Sequence, residues 1–553
     1  MKYFEKTFPY FLIAGILINA NGVLNDILEP DGALYATISK HMVITGNWFD
    51  LFGDGHDWLD KPHFPFWMAA LSFKIFGITA FAYKFPAFIF WLAGILFTYK
   101  LTQKLYDTFT AKVAVIIYAF SLHAILSNFD VRAEPYLTTL SIAAVYYFYK
   151  STLSGKWLNI ILTALLSACA VMTKGIFVLI TVGGGFVMWW ILSKQWKQFI
   201  NYRWWVMLLL ILIFITPELY SLYVQFDLHP EKVVFRKTNV SGLRFFFWDS
   251  QFGRFFNTGP IKYHGDPFFF LHTTLWAFLP WSVILYIAVI QLVQTKRQSY
   301  DNQKWIIYGS ATLTFVLFSF SGFQLPHYIV IIFPQFSIIT AAYLISICKE
   351  NALKKIIIFQ HILLILTGLA VCGLAFFSKF GNLFFPVVIS AAIIIVCMFF
   401  FRKQGINTII ASGVAFSLVL FIFLHNSFYP DLLTYQSGMM AGKWLTNNKI
   451  NNPPAMYKSS SYSFEFYAPG FVQRLETPGA IDTFLAKNGN SAIYTANNNL
   501  KELNLHSYHF EILKSFDDFH VSMLTGRFLN PSTRANELQK MVLVMVKKKE
   551  RYE

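Results

Sequence analysis

KKIIIFQHILLILTGLAVCGLAF, residues 354–376, opens with two lysines and then runs on without another Lys, Arg, Asp or Glu. A helix needs about 20 mostly apolar residues to cross a bilayer, and this run supplies them. Outward from it, the same measure finds about thirteen candidate spans. They lie near 9–28, 84–104, 111–128, 134–151, 156–174, 176–194, 203–222, 269–293, 304–321, 327–347, 354–376, 382–401 and 406–426. The first begins at the N-terminus without a small-residue cleavage site, so it reads as a membrane helix and not a removed signal.

Composition points the same way. Of 553 residues, 56% are hydrophobic and 13% charged, about half the charge of a soluble domain. A soluble core could not hide 61 Phe and 15 Trp. Disorder is excluded by that hydrophobicity. Thirty Gly and four Cys exclude collagen-like and disulfide-built scaffolds. The cysteines, Cys169, Cys348, Cys372 and Cys397, lie in or beside apolar runs, so they do not decide the compartment.

The net charge of +16 is explained by loops and not by nucleic acid. Alternate short loops hold Lys104 and Lys112; Lys150 and Lys156; Lys194, Lys197 and Arg203; Lys296, Arg297 and Lys304; Lys349, Lys354 and Lys355; Arg402 and Lys403. Cytoplasmic loops collect such residues. One orientation satisfies them all, with the N-terminus cytoplasmic. An odd number of spans then puts the C-terminus outside.

The expected organisation is a transmembrane domain over 1–426 and a small soluble α/β domain over 427–553. Two outside loops are long, about 29–83 and 223–268. In the first, 33–45 and 63–76 have the mixed spacing of helices lying in the interface.

Charged residues gather in these outside segments. EPDGALYATISKH carries Glu29 and Asp31 where the first span ends. HDWLDKPHFPFW packs His56, Asp57, Asp60, Lys61 and His63 into eight positions, with His63 equally well read as an interfacial histidine. SNFDVRAEPY places Asp130, Arg132 and Glu134 at alternate positions, with Arg132 free to neutralise either acid. TKG puts Lys174 at a turn that Gly175 can bend. The second long loop holds Arg244, Arg254, Lys262, His264 and Asp266. LPHY adds His327 and Tyr328. Under the loop-charge topology, acids 31 and 134, bases 61, 174 and 254, His264 and Tyr328 all fall on one face. Carboxylates and cations together at a membrane edge suit a lipid phosphate as leaving group. The cations hold the phosphate, and a carboxylate takes a proton.

These motifs together resemble the GT-C integral-membrane glycosyltransferases, above all the aminoarabinose transferases and protein O-mannosyltransferases. The resemblance rests on Asp31 with Tyr35 and Ala36; Lys61-Pro62 before Phe66 and Trp67; Glu134-Pro135; Thr173-Lys174-Gly175; and Leu325-Pro326 with Tyr328. It covers about 1–350 by motif. It implies about thirteen GT-C spans and a periplasmic C-terminal domain in a bacterial inner membrane. It also implies sugar transfer with inversion from a polyprenyl-phosphate donor to a glycolipid, glycan or protein acceptor. Asp31 is then the base, Glu134 the second acid with Asp130 its competitor, and Lys61, Arg254, Tyr328 and Lys174 the phosphate contacts. Asp60 and His264 are the positions for a divalent metal, which stays open; no nucleotide is needed. Relatives often carry an acid pair where Gly32 follows Asp31, and a Lys near Gln324. A flippase or transporter is the alternative, but its ionisable groups would sit near mid-membrane and not at helix ends.

Overall fold

A computed structural model describes residues 2–294, 302–347, 352–382, 384–402, 404–505 and 508–547. Lys296, Arg297, Cys348, Lys349 and Lys403 lie outside the described residues.

The protein is mostly helical. Among the described residues, six helices are long and apolar enough to cross a bilayer: Ala80–Leu105, Trp157–Lys174, Tyr202–Asp227, Pro326–Ser346, Leu353–Ser378 and Ile406–Leu433. Thr108–Ala119 and Leu122–Phe129 make a seventh if the pair, bent by 55°, is one span. The expected runs at 176–194, 304–321 and 382–401 form shorter apolar helices. Those at 9–28 and 134–151 become Lys2–Val23 and Glu134–Ser154. The 269–293 run divides into Phe269–Ala277 and Ser282–Gln294, around Pro280, which has no N–H to continue a helix.

A backbone break inside a membrane must have its polar groups satisfied. At the bend of the 108–129 pair, Asn19 donates to the Ala119 carbonyl at 3.2 Å and Ser417 to the Phe120 carbonyl at 2.6 Å. The Leu122 N–H donates to Leu279 O at 2.8 Å. The bend is thus held from three other segments.

The first outside loop folds as helix Asp31–Thr45, a short hairpin of β1 (Phe52–Gly53) and β2 (His56–Asp57), and helix Phe64–Phe76. The expected interfacial helix over 33–45 is instead buried from Gly32 through Met42. It packs between Phe64–Phe76 and helix Tyr462–Tyr467 of the C-terminal region. Lys40 is held in this packing: its Nζ donates to the carbonyls of Glu465, Phe466 and Ala468 at 2.6, 3.1 and 2.6 Å. Burial pushes the Lys40 ammonium down to about 7, against the pull of Glu465.

His63 is buried too, not interfacial: its Nδ1 meets Glu218 Oε1 at 3.0 Å and its Nε2 lies 2.8 Å from Phe49 O. Asp57 accepts from Lys232 and Gln225, both at 2.9 Å, so the second outside loop clamps the first.

The C-terminal region contains a five-stranded sheet of β3 (Ala455–Tyr457), β4 (Gln473–Leu475), β5 (Ser491–Ala496), β6 (His509–Asp518) and β7 (Gln539–Lys547). Its order is β4-β3-β5-β7-β6; β3 runs parallel to β4 and β5, and the other pairings are antiparallel. Glu29 Oε1 accepts from Ser461 Oγ at 2.8 Å and Ser463 N at 2.5 Å. Lys443 pairs with Asp26 at 2.6 Å, and Arg474 with Asp54 at 2.5 Å and Glu465 at 2.7 Å. These contacts seat the sheet region on the loop that begins the candidate site.

Candidate active site

Helix ends carry the site. Asp31 opens its helix, Glu134 opens Glu134–Ser154, Lys174 closes Trp157–Lys174, and Arg254 follows the helical stretch Gly242–Gly253. An acid at a helix start is favoured by the helix dipole, as is a cation at a helix end.

The acids and bases form a connected chain. Arg132 joins two acids: Nη1 lies 2.7 Å from Asp31 Oδ2, while Nη2 lies 2.8 Å and Nε 3.1 Å from Asp130 Oδ2. His327 Nδ1 is 3.4 Å from Arg132 Nη1, and its Nε2 is 3.8 Å from Glu134 Oε1. Glu134 Oε1 accepts from Lys174 Nζ at 2.7 Å. That ammonium sits 3.4 Å from the ring centre of Tyr328. Asp60 is gripped on one carboxylate oxygen by Lys61 and on the other by Arg254.

Two adjoining cavities meet this chain. One, of about 620 Å³, is lined by Lys174, Arg254 and Tyr328 among apolar side chains. The next, of about 390 Å³, adds Asp60 and Lys61 and shares Lys174 and Arg254. Arg254 Nε is buried with no hydrogen-bond partner. A buried donor without a partner calls for a ligand or water to satisfy it. On the other side of the Glu134–Lys174 pair, a space of about 880 Å³ is lined by Asp130, Arg132, Glu134 and His327.

Electrostatics separate the acids. Burial works to raise Asp60, but Lys61 and Arg254 outweigh it and hold the carboxyl at about 2. Burial raises Asp130, against the pull of Arg132. Asp31 is the open one, 39% exposed against 20% for Asp130.

Two glycines explain the local sequence. Gly175 has φ 101°, and a Cβ there would lie 2.0 Å from Gln251 Nε2. That amide donates to Lys174 O at 3.2 Å, so the Thr-Lys-Gly turn lets Gln251 fix the lysine's backbone. At Gly32, a Cβ would lie 3.1 Å from Asp130 Oδ1.

Of the expected residues, Asp31, Lys61, Glu134, Lys174, Arg254, Tyr328 and Asp60 are brought together, with Asp130 beside them. His264 is not: it is exposed on its loop and lines neither cavity. The pair Asp60 and His264 does not fit a divalent ion. Both Asp60 oxygens are taken by cations, whose charge opposes a metal. Among the described residues no group of three or more His, Cys, Asp or Glu is placed to bind one. Sequence reasoning missed the Arg132–Asp31 bond and the contact of His327 with the acids. The alternate spacing of 130, 132 and 134 suggested local pairing, and nothing in it pointed back to residue 31.

Comparisons with known proteins bear on the sequence and the fold. Residues 60–220 match the family model of dolichyl-phosphate-mannose-protein mannosyltransferase. An uncharacterised protein of Aquifex aeolicus is 26% identical over 371 residues, 66% of this chain and 68% of that one. An undecaprenyl phosphate-α-4-amino-4-deoxy-L-arabinose arabinosyl transferase of Pseudomonas aeruginosa is 26% identical over 312 residues, 54% of this chain. The match spans about half of that relative's length, 52%. ArnT from Cupriavidus metallidurans, solved with undecaprenyl phosphate bound, superposes with a TM-score of 0.74 at 14% identity, covering 97% of each chain. Its apo form gives 0.70. The chain therefore has the fold of ArnT over nearly its whole length, and its resemblance to the GT-C glycosyltransferases of the aminoarabinose transferase type holds in both sequence and fold.

Proposed function

We propose that this protein is a membrane glycosyltransferase. It moves a sugar from a polyprenyl-phosphate donor to an acceptor hydroxyl or phosphate on a glycolipid, glycan or protein, at the outer face of a bacterial inner membrane. One observation carries the reading. Lys61, Lys174 and Arg254, the last with a buried unpartnered N–H, converge on two cavities beside carboxylates at helix ends. A flippase would instead need its charges near mid-membrane.

The chain crosses the membrane about thirteen times, counting shorter packed helices as spans. Its N-terminus is cytoplasmic, and residues 427–553 form an extracytoplasmic α/β domain on the catalytic domain of 1–426. The prenyl tail stays in the bilayer, and the donor phosphate enters the cationic cavities. Lys61, Lys174, Arg254 and the Tyr328 hydroxyl hold its oxygens. Asp31 is the base. It is the more exposed acid, and Arg132 fixes its carboxylate. An acceptor hydroxyl oxygen attacks the anomeric carbon from the face opposite the phosphate. The bond from that carbon to the phosphate oxygen breaks, and polyprenyl phosphate leaves with the electron pair. The hydroxyl proton passes to Asp31, and the configuration inverts. Glu134, the second acid, holds Lys174 toward the phosphate, and Asp130 supports Asp31 through Arg132.

The test is donor consumption by purified protein against a panel of polyprenyl-phosphate monosaccharides, with cell-envelope extract as acceptor and Asp31→Asn in parallel. The proposal predicts that wild type consumes one donor and Asp31→Asn none. Equal consumption by both removes Asp31 as base. Movement of intact donor across liposomes without consumption replaces the transferase reading with a transporter.

A further inference from the structure

A second concave surface lies outside this site, in the sheet region. A cleft of about 730 Å³ opens beyond the carboxyl ends of parallel strands β3 and β5, between residues 458–461 and Ala496. Ligands of open α/β sheets bind beyond the carboxyl ends of parallel strands.

The chemistry of its walls selects a ligand class. Glu29 and Asp518 both face it. One oxygen of each is occupied: Glu29 Oε1 by Ser461 and Ser463, Asp518 Oδ1 by Ser437 N at 3.2 Å. The second oxygen of each makes no hydrogen bond among the described residues, nor do the side chains of Ser460 and Gln539 on the same walls. These groups offer two carboxylate acceptors, a hydroxyl and an amide. The one lysine present, Lys458, is spent on both oxygens of Glu502 at 2.8 Å. A phosphate would meet free carboxylates and no free ammonium; the imidazole on the walls, His520, has its Nε2 3.2 Å from Ser522 Oγ. Hydroxyl or amine donors would meet acceptors.

We infer that this cleft binds a hydroxyl-rich saccharide, neutral or amine-bearing. Glu29 forms one wall, and Asp31 stands two residues further along the same loop. The Cα atoms of 29 and 31 are at most about 7.6 Å apart, so a saccharide in the cleft rests against the segment that carries the proposed base. Its identity as the acceptor's sugar rests on the transferase reading; the binding itself does not.

The experiment uses the full chain in lipid nanodiscs without donor. Saturation-transfer NMR titrations are run with chitobiose, glucosamine and maltotriose, and a phosphorus-31 line-broadening titration with inorganic phosphate as the anion. The inference predicts saturable binding of at least one saccharide and none of phosphate. Ser460→Trp, which fills the exposed mouth, weakens it at least tenfold, about one strong hydrogen bond's worth. Gln539→Ala, a surface truncation that spares the fold, weakens it by a smaller factor. Absence of saccharide binding, binding of phosphate, or indifference to both variants overturns it. In transfer assays, Ser460→Trp raises the acceptor KM and leaves the donor KM alone. Saccharide binding with an unchanged acceptor KM overturns the acceptor assignment alone, and binding in a protein that transfers nothing separates this inference from the transferase reading.

Discussion

Arg132 Nη1 lies 2.7 Å from Asp31 Oδ2, so the proposed base is held by a cation from a different outside loop. The same guanidinium spends its other nitrogens on Asp130. Its planar fork therefore sets the direction of the Asp31 carboxylate, which a lysine's single ammonium could not do in the same way.

Removing that fork should misplace the base without emptying the donor cavity. Misplacing a catalytic group by about 1 Å costs on the order of 100-fold in rate. Arg132→Gln is expected to lower kcat by about that factor with little change in donor KM, and Arg132→Lys to recover part of it. Steady-state kinetics check this. A rise in donor KM with kcat intact would make Arg132 a phosphate contact instead.

Arg254 is expected to act on binding. Hydrogen bonds to charged groups contribute about 1.5–3 kcal/mol, or roughly 10- to 100-fold in affinity. Arg254→Ala should weaken undecaprenyl phosphate binding within that range, measured by titration in nanodiscs. The loss has two sources, since the substitution also leaves Asp60 with one cation where it had two. Asp60→Asn/Arg254→Ala should therefore bind more tightly than Arg254→Ala alone.

Chelation is a separate test of Asp60. With both its oxygens on cations, it is not disposed to take a divalent ion. Dialysis against EDTA should leave the transfer rate unchanged, and added manganese or magnesium should not raise it. A rate lost to EDTA and restored by one metal would mean that Asp60 releases Lys61 or Arg254 in the working enzyme.

His63 tests the packing beneath the site. Burial opposes its protonation, but Glu218 and the Phe49 carbonyl outweigh that and raise its pKa. Breaking a buried pair from one side strands the other charge, at about 3–5 kcal/mol. His63→Leu should destabilise the protein by about that much in a thermal or denaturant series. His63→Leu/Glu218→Leu should recover most of it, because no charge is then left unpaired.

These pairings mark where sequence reading stopped. Apolar runs announce helices, because they are a local property of composition. Lys61-Pro62, Glu134-Pro135 and Thr-Lys-Gly were legible as pieces of the candidate site because each is a short run in sequence. Partners separated in the chain were not. His63 looks the same in sequence whether it faces an interface or Glu218, and Arg132 looks local until Asp31 is packed beside it. Lys40, in a stretch with interfacial spacing, shows the limit most clearly. Only the folded C-terminal region supplies the three carbonyls that bury it.

Lys40 also gives the pH dependence a sign. Its pKa falls from an ordinary lysine value of about 10.4 in the unfolded chain to about 7 in the folded protein. Between those values the unfolded state binds more protons than the folded one. Stability therefore rises with pH across that window. Below pH 7 the lysine is charged in both states, and the full penalty of burying the charge is present. Above the unfolded value it is neutral in both, and the penalty is gone. Lys40→Met keeps the length of the side chain and removes the titration. The difference in unfolding midpoint between wild type and Lys40→Met should move in favour of wild type as pH rises from 7 toward 10. A difference that stays flat over that range would show that the ammonium keeps its ordinary pKa beneath the C-terminal region.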